Sequence, residues 1–284
     1  MSAPTTQLVR LDLGGHARWV VRTADSDSLL AVSLDELLQV PFDEARTAVE
    51  SAVPTADPGG ALLAPIESQE VWAAGVTYER SRDERIAEST QADVYERVYQ
   101  AQRPEVFFKA PAHRVVADGQ PVGVRADSPW NAPEPELGLV LNAAGEVFGF
   151  VPGNDVSSRS IEGENPLYLP QAKVYERSCS LGPGIVPVWA APDLPFPIAM
   201  RVQRGESIAF EGSTSTASIT RGFEDLSAWL MAALDFPVGA VLLTGTGIVP
   251  DDSFSLQAGD LVTVDIEGIG TLTNPVVLVG RNLG

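Results

Sequence analysis

Two carboxylates flanking a proline, Glu134-Pro135-Glu136, open the part of this chain with the most chemistry in it, residues 131–160. Pro135 forbids helix and favours an extended backbone. In a strand, side chains two apart leave the same face, so the spacing aims both carboxylates at one point. The apolar run Leu137 to Leu141 continues the strand, and Asn142 to Glu146 with Gly145 supplies a turn. Val147 to Val151 then returns antiparallel and delivers Gly153, Asn154 and Asp155 beside the starting end. A third carboxylate, Asp155, thereby joins the pair. Three hard oxygen ligands with room for water suit Mg2+, Mn2+ or Ca2+ better than Zn2+, which favours nitrogen and sulfur. The competing reading is a set of solvated turn acids in an acidic protein.

The lysines are a second signal. Of 19 basic residues only Lys109 and Lys173 are lysine, and the remainder are arginine. A lysine ammonium is compact enough to meet a carboxylate in a tight pocket and loses its proton more readily than arginine when buried. Lys173 follows the Pro-rich loop after Asp155 and is a site residue in this reading; Lys109, after the apolar Val106-Phe107-Phe108 run, reads as a buried or subunit-contact lysine.

The bulk composition narrows the partners. At 284 residues and 44% hydrophobic content the chain buries a substantial core as one large domain, or one large and one small. A net charge of -19 with no basic patch argues against nucleic acid and against anionic membrane, and leaves a small molecule as the partner. An acid substrate must then be captured locally, by a metal, an arginine or a lysine. The single cysteine, Cys179, forms no intrachain disulfide, and with no leader pattern or apolar membrane span the expected compartment is the cytoplasm. Cys179 reads as a small core residue, and with only His16 and His113 a Ser-His-Asp triad is poorly supplied.

These groups need a scaffold to position them. Residues 7–50 read as short strands followed by amphipathic helix, and a Pro/Gly-rich break near 54–65 closes a small N-terminal domain, 1–65, ahead of a catalytic domain, 66–284. Glu70 to Tyr78 reads as a strand and Ser81 to Gln102 as a charged helix. The rest alternates short β runs with Gly and Pro turns, including Arg114 to Ala117, so the fold class is α+β and mainly β. One clear helix interrupts it, with Phe223, Leu226, Leu230 and Leu234 at helical spacing. Thr244-Gly245-Thr246-Gly247 is no phosphate-binding P-loop, because no Lys-Ser or Lys-Thr follows and β flanks it on both sides. Its alternatives are a plain Gly turn, or Thr246 and neighbouring amides closing over a small carboxylate.

Taken in order, these pieces resemble the fumarylacetoacetate hydrolase superfamily. The matches are Glu134-Pro135-Glu136, Asn154-Asp155-Val156-Ser157-Ser158-Arg159, Lys173, Thr244-Gly245-Thr246 and Gly259-Asp260. The resemblance implies a mixed β-roll or sandwich core with a small N-terminal α+β domain, a metal (Mg2+, with Mn2+ or Ca2+ as substitutes) held by Glu134, Glu136 and Asp155, and assembly as a homodimer or homotetramer. Hydrolases and decarboxylases of the superfamily carry Tyr-x-x-His-x-x-Glu on a lid segment; here the stretch runs from Tyr78 to Glu84, with Ser81 in the histidine's place. The surrounding segments are instead similar to the branch of 2-keto-3-deoxy-arabinonate dehydratases. That branch implies Glu105 and Lys173 as catalytic residues; Lys173, Thr246 and Ser81 are the expected substrate-binding residues, while Arg80, Arg82 and Glu84 carry no assigned role.

The implied chemistry is dehydration. A 2-keto acid chelates Mg2+ through a carboxylate oxygen and the C2 carbonyl, which acidifies the C3 hydrogen. The C4 hydroxyl then leaves as water, and a proton shift from C5 gives an enol that tautomerises to the aldehyde, so a 2-keto-3-deoxy-pentonate becomes 2,5-dioxopentanoate. Glu105 suits the base, and Lys173 orients the acid or donates a proton. Two other functions compete: a metal-dependent hydrolase or decarboxylase of acylpyruvate-like 2-keto acids, and a non-catalytic acid-binding protein.

Overall fold

Strands dominate the regular structure, some with period-two alternation of buried and open positions and the central ones buried throughout. The computed structural model describes residues 6–79 and 97–281. Arg80, Ser81, Arg82, Glu84 and most of the predicted helix from Ser81 lie outside the described residues. In the first part, β1 (Thr6–Asp12), β2 (Ala17–Thr23) and β3 (Asp27–Leu29) precede α1 (Leu34–Leu37) and α2 (Phe42–Glu50). Three short strands follow, β4 (Val53–Thr55), β5 (Ala61–Leu63) and β6 (Glu70–Gly75). Next come β7 (Glu105–Pro111), β8 (Val122–Arg125), β9 (Asn131–Ala132), β10 (Pro135–Leu141), β11 (Val147–Asp155) and β12 (Ser157–Ser158). Two helices, α3 (Arg159–Glu164) and α4 (Leu169–Lys173), lead into β13 (Cys179–Leu181) and β14 (Gly184–Pro187). The last part holds β15 (Pro197–Arg204), β16 (Ser207–Ser215), α5 (Phe223–Met231), β17 (Ala240–Leu243), β18 (Leu261–Ile266) and β19 (Gly270–Val279).

Twelve of these strands share one sheet in the order β4-β3-β2-β1-β14-β11-β10-β17-β6-β7, with β13 added to β11 and β5 to β1. A five-stranded sheet runs β16-β15-β18-β19-β8, and β12 pairs with β9. Strands from both sides of residue 65 are hydrogen-bonded neighbours, through Leu8 opposite Ile185. β10 is buried on both faces. Leu137, Leu139 and Leu141 join a core with Ile198, Met200, Val202, Val262, Val264 and Leu272 of the smaller sheet, while Val140 turns to Leu34, Leu37 and Val49 of α1 and α2. No helix among the described residues is long and apolar enough to cross a membrane.

Two local expectations change. Arg114 to Ala117 is no strand: a 3-10 turn ends at Arg114, and Val116 makes only an isolated bridge to Ser180. Both polar backbone groups of Val116 are already spent on β13, through Cys179 O (2.9 Å) and Leu181 N (3.1 Å). α5 stops at Met231, leaving Leu234 exposed, and Phe236 enters the core instead. Pro237 disfavours helix at the residue before it.

Candidate active site

The hairpin of β10 and β11 is closed by its own turn chemistry. Asn142 Oδ1 accepts from the amides of Ala144 (3.0 Å) and Glu146 (2.9 Å), and Gly145 takes the positive φ of 79° that the turn requires. The register places Pro135 opposite Asn154 and Glu136 opposite Gly153, and the Asp155 amide donates to the Glu134 carbonyl at 3.0 Å. Glu134, Glu136 and Asp155 therefore share one face, as their spacing predicts. Their carboxylate oxygens lie within 4.8 Å of one another, and all three side chains are buried. The solvated-turn alternative fails on that burial.

Two lysines and an arginine surround the triad. Lys173, the last residue of α4, donates from Nζ to Glu134 Oε2 (2.6 Å), Asp155 Oδ2 (3.0 Å) and Ser157 Oγ (2.7 Å). Arg159 opens α3 and pairs through Nη2 with Glu134 Oε1 at 2.9 Å, and through Nη1 with Glu162 at 3.6 Å. Lys109 is wholly buried and pairs with Asp155 from the other side.

The opposite wall comes from the ends of β6, β7 and β17. Glu105 begins β7 opposite Gly75, and a Cβ built on Gly75 would lie 2.1 Å from Glu105 Oε2. Gly75 is thus what leaves room for that carboxylate. The next residue, Val76, holds a left-handed backbone (φ 54°), a strained conformation for a β-branched side chain. Thr77 secures it by donating to the Thr244 carbonyl at 2.6 Å. Gly245 (φ 86°) sends its amide to Glu136 Oε2 at 2.7 Å, so this loop serves a carboxylate of the protein itself. Thr246 Oγ accepts from the Ile248 amide at 3.1 Å. One small cavity is lined by Gly75, Val76, Glu105, Phe107, Glu134, Glu136, Asp155, Glu162, Lys173, Gly245 and Thr246.

The electrostatics fit a divalent cation. Five carboxylates line the cavity, Glu105, Glu134, Glu136, Asp155 and Glu162. Lys109, Lys173 and Arg159 stand against Asp155 and Glu134 among them. Burial first, then the neighbouring Asp155 and Glu134, push Glu136 well above the usual carboxylate range, against the pull of Lys173 and the Gly245 amide. The all-oxygen donor set of Glu134, Glu136 and Asp155 suits Mg2+, Mn2+ or Ca2+.

Residues 70–277 match the family model described as fumarylacetoacetate (FAA) hydrolase C-terminal. The chain belongs to the fumarylacetoacetate hydrolase family. Within it, the chain is 50% identical over 216 residues to a probable 2-keto-3-deoxyxylonate dehydratase of Haloferax volcanii, covering 76% of this chain and 74% of that protein. It is 41% identical over 223 residues to the 2-dehydro-3-deoxy-D-arabinonate dehydratase of Saccharolobus solfataricus, with the same coverage of 76% and 74%. The structure of a 2-keto-3-deoxy-D-arabinonate dehydratase complexed with magnesium and 2,5-dioxopentanoate superposes with a TM-score of 0.81 at 31% identity, covering 97% of this chain and 100% of that one.

Of the residues singled out in sequence, Glu105, Glu134, Glu136, Asp155, Lys173 and Thr246 line one cavity of this family fold, and Ser81 lies outside the described residues. His16 and His113 are exposed and line none of it, and burial pushes the Cys179 thiol up to about 12. Asp260, part of the motif series, is structural: it holds Arg204 through two bonds of 2.7 and 2.8 Å. Ser157 and Arg159 sat in the Asn154 motif without a role. Glu162 and Gly75 were missed; only the three-residue spacing of Glu162 from Arg159 hinted at the former.

Proposed function

We propose that this protein is a Mg2+-dependent hydro-lyase that converts a 2-keto-3-deoxy-pentonate, such as 2-dehydro-3-deoxy-D-arabinonate, to 2,5-dioxopentanoate and water. The observation that carries the reading is that Glu105 and Lys173 line one cavity with the buried Glu134-Glu136-Asp155 triad. The names of the relatives at 50% and 41% identity, and the magnesium and 2,5-dioxopentanoate in the solved dehydratase, support the same substrate class.

Glu134, Glu136 and Asp155 would hold the cation. Bound there, Mg2+ supplies Lewis acidity to the carboxylate and C2 carbonyl of a 2-keto acid. Glu105, on the opposite wall, takes the C3 proton. The C4 hydroxyl leaves with a proton as water, transfer of a C5 proton back to C3 produces a C4=C5 enol, and the enol hydroxyl proton moves to C4 to give the aldehyde with no net oxidation. Lys173 orients the acid and holds Glu134 and Asp155 in place. Val76 and Phe107 wall the cavity with apolar surface, which limits water around the reacting carbons.

The catalytic machinery falls wholly within residues 66–284, which supports the division into a small part, 1–65, and a catalytic part. A cytoplasmic homodimer or homotetramer completes the reading, supported by the family resemblance. The test is an assay of purified protein with Mg2+ against 2-keto-3-deoxy sugar acids and acylpyruvates, following aldehyde formation and C–C cleavage separately. Aldehyde from the sugar acids alone is expected. Cleavage of acylpyruvates alone would overturn the reading in favour of a hydrolase or decarboxylase.

A further inference from the structure

Glu105 and Phe107 are alternate residues of β7 and leave the same face, and Lys109 follows at a β-bulge, unpaired between Phe108 opposite Trp72 and Ala110 opposite Val71. Glu105 lines the cavity, and the Phe107 ring lies 5.4 Å from the Lys173 ammonium. Lys109 goes deeper. Its side chain is 0% exposed, and its Nζ donates to the carbonyls of Lys173 (2.6 Å) and Val156 (3.1 Å) and pairs with Asp155 Oδ1. An ammonium has three protons, and three acceptors surround this one. The Tyr175 ring, 5.9 Å away, forms part of its enclosure.

The partners matter more than the burial. Asp155 has two carboxylate oxygens: Oδ1 faces Lys109 and Oδ2 faces Lys173. The carbonyl that Lys109 holds is that of Lys173 itself, at the buried C-terminal end of a five-residue helix, where it also accepts from Ser178 Oγ at 2.9 Å. Lys109 thus grips both the side chain of one site residue and the main chain of another, and these arrive from different elements, β11 and α4. A buried charge is a costly way to fill space when an apolar side chain would do. A guanidinium, planar and wider, does not converge on three acceptors set around a point, which accounts for lysine in a chain that otherwise uses arginine.

We propose that Lys109 is a positioning residue of the reaction: it fixes the Asp155 carboxylate and the Lys173 backbone relative to each other without touching substrate. The inference rests on the reading that Asp155 and Lys173 belong to the active site. Its test uses the fact that the chain has two lysines. Protein labelled with 15N-lysine should show two side-chain ammonium signals protected from exchange with water. In Lys109→Met the one remaining signal, from Lys173, should shift and lose protection, and Mg2+ affinity by calorimetry should weaken by about 10- to 100-fold, as for other residues that orient metal ligands. Lys109→Gln, which keeps a donor but no charge, should retain part of both.

A Lys173 signal unchanged in shift and exchange in both variants would overturn the proposal, leaving Lys109 as a fold residue only. Were neither variant to fold, the wild type decides: a Lys109 ammonium exchanging as fast as free lysine contradicts the clamp. The two readings fail separately. Wild-type protein that neither binds Mg2+ nor dehydrates a keto acid, while Lys173 still loosens in Lys109→Met, would sink the function and leave the clamp standing.

Discussion

The smaller sheet and the Glu134 end of the β10–β11 hairpin apply the same two-residue period to opposite ends. In β15, β18 and β19 the inward positions are Ile198, Met200, Val202, Val262, Val264 and Leu272, while Arg201, Gln203, Thr263 and Asp265 line the open outer face. Alternation there separates core from water. At the hairpin end both faces are covered, so the positions that alternate toward one another hold Glu134, Glu136 and Asp155, out of water and held by Lys109, Lys173 and Arg159. Packed apolar residues in place of such groups commonly leave a protein as stable or more so. Stability and chemistry therefore reside in separate layers, and the site is bought with stability made elsewhere.

The sharpest way to break that contrast is at Glu136. Chelated protein is expected to be inactive, Mg2+ or Mn2+ to restore it, and Glu136→Gln to abolish both metal binding and turnover, read by calorimetry and steady-state rates. The same change should leave metal-free protein at least as stable. Glu136 sits above its unfolded pKa, so its contribution to stability is full below the ordinary glutamate range and is lost as pH rises through the raised value. Melting temperature of chelated protein should thus fall on going from acid to neutral pH and beyond, and less so in Glu136→Gln. A rise instead would mean that the cluster stabilises the fold.

Next in size is the opposite wall. Glu105→Gln, nearly identical in shape, should keep affinity for a non-reactive 2-keto acid and lower kcat by a factor on the order of 100 or more. Gly75→Ala should reproduce much of that loss, because its methyl occupies the place of Glu105 Oε2. Normal turnover by either would move the base elsewhere.

In the smaller sheet the expected pattern reverses. Leu272→Ala should cost about 2–5 kcal/mol of stability in denaturant unfolding, with kcat and KM unchanged where the protein is folded. A matching change in kcat would show that the two layers are coupled. The smallest effect is expected at exposed His113, where alanine should shift stability by no more than about 0.5 kcal/mol and leave kcat intact. A large fall in kcat there would point to a water-activating histidine.

What the chain declares by itself is local. Pro135 between two glutamates, a turn from Asn142 to Glu146 and Asp155 on the return strand determine the triad, because a hairpin register depends on residues within one short segment. The rarity of lysine marked Lys109 and Lys173, and alternation marked a mainly β fold. What pairing at long range decided was hidden. Gly75 owes its importance to Glu105, thirty positions on and brought opposite by the β6–β7 ladder. Lys109 acquires its role from backbone carbonyls, which no side-chain pattern reveals. Asp260 looks like a site residue in a motif string and is a partner for Arg204 in space. The break near residue 65 is plain in composition, yet β1 crosses it to pair with β14, because unpaired strand edges find partners wherever the fold brings them. Residue types and short-range spacing thus set which groups could act, and only the tertiary fold decided which charges share a carboxylate, since those distances are made between elements far apart in the chain.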